Sequence, residues 1–228
     1  MMSTKRTQQH MVIIAGSTRK KKTSFRFAEA IQKSTEAAGH SATLYHVVDL
    51  FEQEGKVEEL KKSIAESHTL CLVAPVYTDT LPYPTLWLLE KLASEAPDLL
   101  EDKKFFALGQ CGFPDVTRCE PLLETCRFFA LTTKMRWMGG LGYGGGSLIN
   151  GVAFESLGSK GKKLLSAMEI AAQDVLADRM ISEKAQKLLQ GQIPTLLIRP
   201  LCTLLNYQIK KEAKQKGVTD LFAKPYQR

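Results

Sequence analysis

The segment MVIIAGSTRKKKTSFRF, residues 11–27, indicates a buried strand, a loop and the start of a helix. Its apolar run stops at Gly16, and an amphipathic pattern opens at Ser24. A helix N-terminus carries unpaired N–H groups and about half a positive charge. The loop adds hydroxyl donors and cations, so the segment predicts a site for a phosphate monoester. The residues concerned are Ser17, Thr18, Arg19, Lys20, Lys21, Lys22, Thr23 and Ser24.

The composition is that of a globular protein with a basic surplus. The chain has 228 residues, of which 44% are hydrophobic and 24% are charged, and its formal net charge is +7. This length suits one large domain or one domain with an appendage. The charge suits anionic ligands without identifying them.

The cysteines and the N-terminus bear on the cellular compartment. The five cysteines are odd in number and form no C-x-x-C pair, which argues against a disulfide framework or a thiolate metal site. The opening residues, MMSTKRTQQH, lack the apolar core of a secretory signal, and no apolar run reaches the length of a membrane span. We therefore expect a cytoplasmic protein with no integral membrane association.

Apolar runs alternate with amphipathic helical patterns along most of the chain. The runs predict strands near residues 10–15, 42–48, 69–74, 104–110 and 134–139. Continuous apolar runs are typical of strands that are covered on both faces. The alternation predicts an α/β fold with a doubly wound parallel sheet, and the flavodoxin-like strand order 2-1-3-4-5 is the leading choice. Ligands then bind at the carboxyl ends of strands 1, 3 and 4.

The alternation stops after about residue 150. We predict a flexible N-terminal arm at residues 1–9, a flavodoxin-like domain at 10–155, and a helical C-terminal extension at 156–228 packed on the same domain. Helical patterns cover residues 158–180 and 182–190, and an apolar-then-basic segment follows at 194–216. The role of the apolar run 193–205 can be interpreted in two ways. The run contacts a membrane surface or a partner chain, or it packs against its own core or a dimer mate. The second interpretation is favoured.

Two further loops carry chemistry at the same predicted edge of the sheet. The loop APVYTDTLPYP, residues 74–84, has two tyrosines and three prolines, which make a stiff and partly apolar wall against which a planar ring can lie. The loop GQCGFP, residues 109–114, is short and polar enough to reach a ring edge through backbone groups. A phosphate site with two loops framing a flat pocket is what flavin mononucleotide (FMN) needs. The alternative is three ordinary strand-to-helix turns.

Four groups of residues make the chain similar to a known family. They are Gly16-Ser17-Thr18-Arg19 with Thr23-Ser24, Pro75-Val76-Tyr77 with Leu81-Pro82, Cys111-Gly112-Phe113-Pro114, and Gly139-Gly140-Leu141 with Gly144-Gly145-Gly146. The chain resembles the flavodoxin-like NAD(P)H-dependent FMN reductases, in their multimeric-flavodoxin branch, and its terminal run, residues 210–226, resembles that branch's ending. The resemblance implies an FMN-dependent oxidoreductase that forms a homodimer or a larger homo-oligomer.

The resemblance also implies roles for individual residues. It implies phosphate binding by the first loop and flavin-ring contacts from the second and third. The predicted FMN-binding set is Ser17, Thr18, Arg19, Thr23, Ser24, Pro75, Val76, Tyr77, Thr78, Asp79, Gln110, Cys111 and Gly112. One departure is the run Lys20-Lys21-Lys22, where such loops often carry glycines or an asparagine. Three lysines add charge but cost backbone freedom, so weakened or lost FMN binding stays open.

The expected chemistry belongs to the cofactor, and no catalytic side chain is predicted. FMN accepts a hydride and passes electrons on, while the protein positions it, tunes it and excludes competing reactions. NADH or NADPH is the expected donor, and the small-molecule electron acceptor is a quinone, a nitro- or azo-aromatic, a free flavin or a metal ion. The four histidines fall outside the three loops and are expected to be structural or on the surface.

Other functions were weighed against this one. A flavodoxin-type electron carrier would need an acidic docking face, against which the net charge argues. A binding or regulatory module that has lost FMN remains open because of the three lysines. Nucleic-acid binding is not expected, since no basic stripe with interleaved aromatic residues occurs. The G-x-G-x-x-G match at residues 140–145 follows the fifth strand, and a flexible loop beside the pocket explains it better than a dinucleotide site. Cys111 could approach a ligand, but a structural thiol is favoured over a redox thiol.

Overall fold

The structure is a computed structural model that describes residues 8–190, 195–218 and 220–221. Most of the predicted N-terminal arm, residues 1–9, therefore lies outside the described residues. So do the first residues of the predicted segments 193–205 and 194–216, and parts of the terminal run 210–226.

The described residues contain one parallel sheet of five strands. The strands are β1 (His10–Ala15), β2 (Ser41–His46), β3 (Thr69–Pro75), β4 (Lys104–Gln110) and β5 (Arg136–Tyr143). Their order is β2-β1-β3-β4-β5, and every neighbouring pair is parallel. The predicted α/β fold and flavodoxin-like strand order are confirmed.

Eight helices connect and follow the strands within the described residues. They are α1 (Thr23–Ala37), α2 (Val47–Glu52), α3 (Glu54–Glu66), α4 (Tyr83–Glu95), α5 (Glu120–Thr132), α6 (Gly158–Leu176), α7 (Glu183–Leu189) and α8 (Thr195–Gln215). Short 3₁₀ helices lie at Pro97–Leu99, Val116–Cys119, Gly146–Leu148 and Phe154–Leu157.

The sequence prediction placed the end of the second strand too late. The predicted strand 42–48 was wrong at its end, because β2 stops at His46 and α2 begins at Val47. Val47 and Leu50, three residues apart, are both buried, so they share the inner face of one helical turn. An apolar run that continues from a strand into a short helix does not reveal where the strand stops.

Both faces of the sheet are covered, which explains the continuous apolar runs. Successive side chains of β1 point to opposite faces. Ile13 packs in the core that contains Phe27 of α1 and Met168 of α6. Ile14 packs in the second core with residues of α3, α4 and α5. Because all β1 positions from 11 to 15 are buried, an alternating polar pattern is absent from this strand.

The chain divides into two compact units, residues 1–190 and 191–228. Helices α6 and α7 lie in the first unit with the sheet, so this division falls later than the predicted boundary between residues 155 and 156, which stays a prediction. The second unit contains α8, which has Pro200 in its interior. Across the described parts of the chain, no helix is both long enough and apolar enough to span a bilayer.

Candidate functional site

A cavity of about 440 Å³ lies at the carboxyl edge of the sheet. Its walls come from the loops that follow β1, β3, β4 and β5. The cavity therefore lies at the carboxyl ends of strands 1, 3 and 4, where the sequence predicts a ligand. The residues that line it are Ser17, Arg19, Lys22, Thr23, Ser24, Pro75, Val76, Tyr77, Gln110, Gly112, Gly146, Ser147 and Asn150. These lining residues include two cations and no carboxylate, so the cavity favours an anionic ligand.

The first loop leads into α1 with its backbone donors available. Lys22 precedes the helix and makes no side-chain cap, so the first-turn N–H groups lack a capping partner. The Arg19 N–H donates to the Ser17 Oγ, 3.1 Å away, which leaves the Ser17 hydroxyl proton free for a ligand. At Gly16, a Cβ would lie 3.0 Å from the Ala74 Cβ, so glycine lets this loop approach β3 closely.

The three lysines of the first loop lie in different surroundings. Lys20 forms an ion pair with Asp49 at the start of α2, and this hydrogen bond raises the pKa of Lys20. Lys22 donates through Nζ to the Asn150 Oδ1, 3.2 Å away, and lines the cavity. Lys21 has φ +55°, a left-handed conformation that costs an L-residue free energy. Only Lys22 of the three faces the cavity.

Hydrogen bonds connect the start of α1 to two other loops. The Thr23 hydroxyl donates to the Gly146 carbonyl oxygen, 2.8 Å away. The Gln110 Nε2 donates to the Ser24 Oγ, 3.3 Å away, and both side chains are buried. The Thr23 hydroxyl proton is thus engaged within the protein, whereas the Ser24 hydroxyl accepts and keeps its own proton to donate.

The second loop forms one wall of the cavity. The Val76 N–H donates to the Gln110 carbonyl, 2.8 Å away, and fixes this loop against the end of β4. The Thr18 hydroxyl donates to the Tyr77 hydroxyl, 3.4 Å away, and so joins the first two loops. Tyr77 and Thr80 exchange backbone hydrogen bonds across a two-residue turn. Its central residues, Thr78 and Asp79, have φ +49° and +65°, as in a type I′ turn.

The structure brings together nine of the thirteen residues that the sequence predicts for the site. Four others do not line the cavity: Thr18 contacts Tyr77, Thr78 and Asp79 form the tight turn, and Cys111 is directed elsewhere. The Cys111 Sγ lies 3.2 Å from the carbonyl oxygens of both Phe113 and Asp115.

Four lining residues were not in the predicted set, namely Lys22, Gly146, Ser147 and Asn150. Three of them belong to the loop that follows β5. The carboxyl end of β5 lies at the same edge as the other loops, and this was the signal available in the sequence. The backbone also requires a small residue here, because a Cβ at Gly146 would overlap the Gln110 side chain.

Residues 10–112 match the model of a family described as NADPH-dependent FMN reductase. The matched segment covers 103 of the 228 residues. The match begins with β1 and ends at Gly112, so it contains the first two loops of the cavity and the start of the third, and leaves the loop after β5 outside. This segment is therefore similar to enzymes that use NADPH and FMN.

Solved structures agree with this fold at low sequence identity. An oxidoreductase from Corynebacterium diphtheriae is 12% identical, with TM-score 0.53, over 80% of this chain and 97% of that one. An NADH:FMN oxidoreductase in its apo form is 16% identical, with TM-score 0.53, over 83% and 99%. An NAD(P)H:quinone oxidoreductase from Methanothermobacter marburgensis is 15% identical, with TM-score 0.50, over 74% and 96%. No curated protein sequence matches the chain significantly.

The residues of the cavity fit FMN. The uncapped start of α1, the free hydroxyl proton of Ser17 and the Arg19 guanidinium suit a phosphate dianion. Pro75, Val76 and Tyr77 offer an apolar surface for a planar ring. A volume of about 440 Å³ is within the usual range for small-molecule sites.

Proposed function

We propose that the protein takes a hydride from NAD(P)H on FMN held in this cavity and passes electrons to a small acceptor. Quinones, nitro- or azo-aromatics, free flavins and metal ions are the candidate acceptor classes. The observation that carries the proposal is that the loops after β1, β3 and β4 meet at one carboxylate-free cavity, ten of whose thirteen lining residues lie inside the segment that matches the family.

The phosphate end of the proposed site is the first turn of α1. Two first-turn N–H groups, on Thr23 and Ser24, belong to residues that line the cavity, and the Ser17 hydroxyl stands beside them. Arg19 and Lys22 supply positive charge at the same end. We infer that these groups bind the phosphate, and that Thr23 contributes through its backbone while its hydroxyl holds the loop after β5.

The ring end of the proposed site lies between the second and third loops. FMN, when bound, supplies the hydride and electron transfer itself, and the protein holds and orients it. Residues 75–77 offer an apolar surface, and the loop at Gly112 offers backbone groups. The Gln110 side chain lines the cavity, is buried, and is fixed by its hydrogen bond to Ser24. No lining side chain is a carboxylate or an imidazole, which accords with chemistry that needs no protein acid or base.

Anaerobic spectroscopy tests this function. The purified protein is mixed with FMN, freed of unbound flavin, and titrated with NADPH and then NADH without air. We expect a yellow protein that either nucleotide bleaches, and a panel of one compound from each acceptor class then shows which restores the colour. A yellow protein that neither nucleotide bleaches would favour an electron carrier instead. A protein that retains no FMN would contradict the proposal.

The second candidate function, a module that has lost FMN, is favoured by one observation. Lys20 is paired with Asp49 and Lys21 adopts a left-handed conformation, and neither lysine lines the cavity. A matched pair of variants decides between the functions. If FMN binds through this loop, Arg19→Ala weakens FMN binding, whereas Lys162→Ala, which removes an exposed cation on α6, leaves it unchanged. Equal FMN retention by both variants would contradict the proposed site.

We propose in addition that the enzyme is a cytoplasmic homodimer that pairs through α4 and α5. A groove of about 640 Å³ between these helices is lined mainly by apolar groups, and Phe128 beside it is 65% exposed. Exposed apolar grooves of this kind mark interaction sites. Light scattering should give twice the chain mass for the wild type and for Met180→Glu, which changes an exposed apolar residue elsewhere, and one chain mass for Phe128→Glu. A monomeric wild type would contradict the pairing.

A further inference from the structure

Cys111 and Cys119 meet beneath the loop that joins β4 to α5. Cys111 directly follows β4, and Cys119 ends the 3₁₀ helix Val116–Cys119. The Cys111 N–H donates to the Tyr143 carbonyl oxygen, 3.0 Å away, and the Cys119 Sγ lies 3.7 Å from the same oxygen. Each thiol also shifts the pKa of the other, so the two side chains lie close together. The pair is therefore preassembled in the folded protein.

The two thiols differ in character. The neighbouring Cys119 side chain lowers the pKa of the Cys111 thiol, and the N–H of Gly145 acts in the same direction. The Cys111 side chain, followed by burial, raises the pKa of Cys119. The thiolate is the form of cysteine that reacts with oxidants, and an adjacent thiol can capture the sulfenic acid that results. Cys111 has the character of the attacking thiol and Cys119 that of the resolving thiol.

The surroundings set this pair apart from the other cysteines. Cys71 and Cys126 are wholly buried in the cores, and burial raises the pKa of each thiol. Cys111 and Cys119 are buried as well, but they lie beneath an exposed loop, in which Phe113 is 68% exposed.

We propose that Cys111 and Cys119 are a redox-active dithiol beside the cavity, which a hydroperoxide oxidises to a disulfide. With hydrogen peroxide, the Cys111 thiolate sulfur attacks one peroxide oxygen, the O–O bond breaks, and the leaving oxygen takes up a proton and departs as water. The sulfur of Cys119 then attacks the sulfenic sulfur of Cys111, the S–O bond breaks, and a second water departs. Two thiols and one peroxide become one disulfide and two waters, so the sulfurs lose the two electrons that the peroxide gains.

The position of the pair links this reaction to the cavity. Gln110 and Gly112, the two neighbours of Cys111 in the chain, both line the cavity. A disulfide holds the loop residues 111–119 at both ends and so constrains the wall that Gly112 forms. The consequence for FMN affinity rests on the proposed function, whereas the formation of the disulfide does not.

Peptide mapping of the peroxide-treated protein tests the pair directly. The Cys202→Ser variant is used, because Cys202 is a partly exposed thiol in the second unit. We expect native protein treated with hydrogen peroxide to lose two alkylatable thiols and two hydrogen atoms in mass. Trypsin cleaves after Arg118, between the two cysteines, so the disulfide appears as a cross-linked peptide pair. Fragment ions must assign the link to Cys119 rather than Cys126.

Two further variants test the order of events. Cys119→Ser should stop at a sulfenic acid on Cys111, which a cyclic 1,3-dione traps, whereas Cys111→Ser should give neither a disulfide nor a trapped sulfenic acid on Cys119. Thermal unfolding establishes that each variant is folded. The mapping in the Cys202→Ser protein is decisive even if a variant fails to fold. Two unchanged thiols, or a link that joins Cys119 to Cys126, would overturn the proposal.

A separate titration distinguishes failure of this proposal from failure of the proposed function. FMN affinity is measured for the reduced and the disulfide forms, and we expect at least a threefold difference that dithiothreitol reverses. A protein that forms the disulfide but binds no FMN in either form would overturn the proposed function and leave the dithiol intact. Equal affinities would overturn the link between the disulfide and the cavity.

Discussion

The Thr23 hydroxyl donates a hydrogen bond to the Gly146 carbonyl oxygen, 2.8 Å away, and both residues are buried. The bond joins the first turn of α1 to the loop that follows β5. It is the point at which the phosphate end of the cavity is tied to the fourth loop. The loop after β5 is therefore a structural part of the site, although the family match ends before it.

Removal of the Thr23 hydroxyl should destabilise this junction. Thr23→Val keeps the size of the side chain but removes one donor to the Gly146 carbonyl oxygen, which also accepts from the N–H groups of Ile149 and Asn150. The loss of one such hydrogen bond costs about 0.5–1.5 kcal/mol in the free energy of unfolding. Urea unfolding measures this, with Thr23→Ser, which keeps the hydroxyl, expected to lie much closer to the wild type. Equal stability of the valine and serine variants would show that the bond contributes nothing.

Gly146→Ala should disturb the cavity through Gln110. The new methyl group would overlap the Gln110 side chain, which must then move and break its hydrogen bond to Ser24. We expect FMN to bind about tenfold more weakly, a change of about 1.4 kcal/mol in binding free energy. The control is Gly55→Ala on α3, where the added methyl meets no atom within 4 Å. FMN affinity that responds equally to both changes would refute this role of Gln110.

Asp79→Gly should stabilise the folded protein. Asp79 and its neighbour Thr78 both have positive φ in the tight turn after β3, and the left-handed region costs an L-residue about 1–2 kcal/mol. Glycine relieves the strain but loses more backbone entropy on folding, so a net gain of about 0.5–1 kcal/mol in unfolding free energy is expected. Asp98→Gly, in a 3₁₀ helix without positive φ, is the control and should not stabilise. Thermal unfolding of the two variants and the wild type measures these changes in stability.

Stability should fall as the solution is acidified through the titration of His46. Burial lowers the pKa of His46, whose ring stacks on Phe25 at 5.2 Å. Between this lowered pKa and the unfolded value of about 6.5, the unfolded chain binds more protons, so stability rises with pH across that window and is fully present above it. His10 has a lowered pKa as well, so it contributes in the same direction.

Urea unfolding at about pH 5 and pH 7.5 checks this pH dependence. His46→Gln should lose less stability on acidification than the wild type, and His10→Gln, which keeps His46, provides the comparison. A pH dependence in His46→Gln identical to that of the wild type would contradict the assignment.

The fold was predictable because its information lies in local patterns. The apolar runs at residues 12–15 and 70–74 correspond to strands with both faces covered, and Gly39, at φ +84°, ends α1 as a C-terminal glycine does. The start of α2 was missed because Val47 and Val48 continue an apolar run. Helix and strand differ there only through which side chains the tertiary packing buries.

The site was predictable in its loops and less so in its individual side chains. Hydroxyls and cations after β1 indicate an anion site, whereas Ser147 and Asn150 follow a glycine-rich strand end and carry no recognisable pattern. The tight turn at Thr78 and Asp79 could not be recognised from the sequence either, because type I′ turns favour Asn-Gly and the sequence there is Thr-Asp. The orientation of Cys111 depends on its surroundings at Cys119 and the Tyr143 carbonyl. The sequence pattern around Cys111 does not reveal these contacts.

The affinity of the protein for FMN compared with riboflavin tests the central claim most directly, because the two ligands differ only in the phosphate that the start of α1 would bind. Two charge-assisted hydrogen bonds contribute about 3 kcal/mol together, so calorimetry should show FMN binding about a hundredfold more tightly than riboflavin. In the double variant Ser17→Ala with Arg19→Ala, the two affinities should come within about tenfold of each other. Equal binding of both ligands by the wild type, or an unchanged ratio in the double variant, would contradict the account.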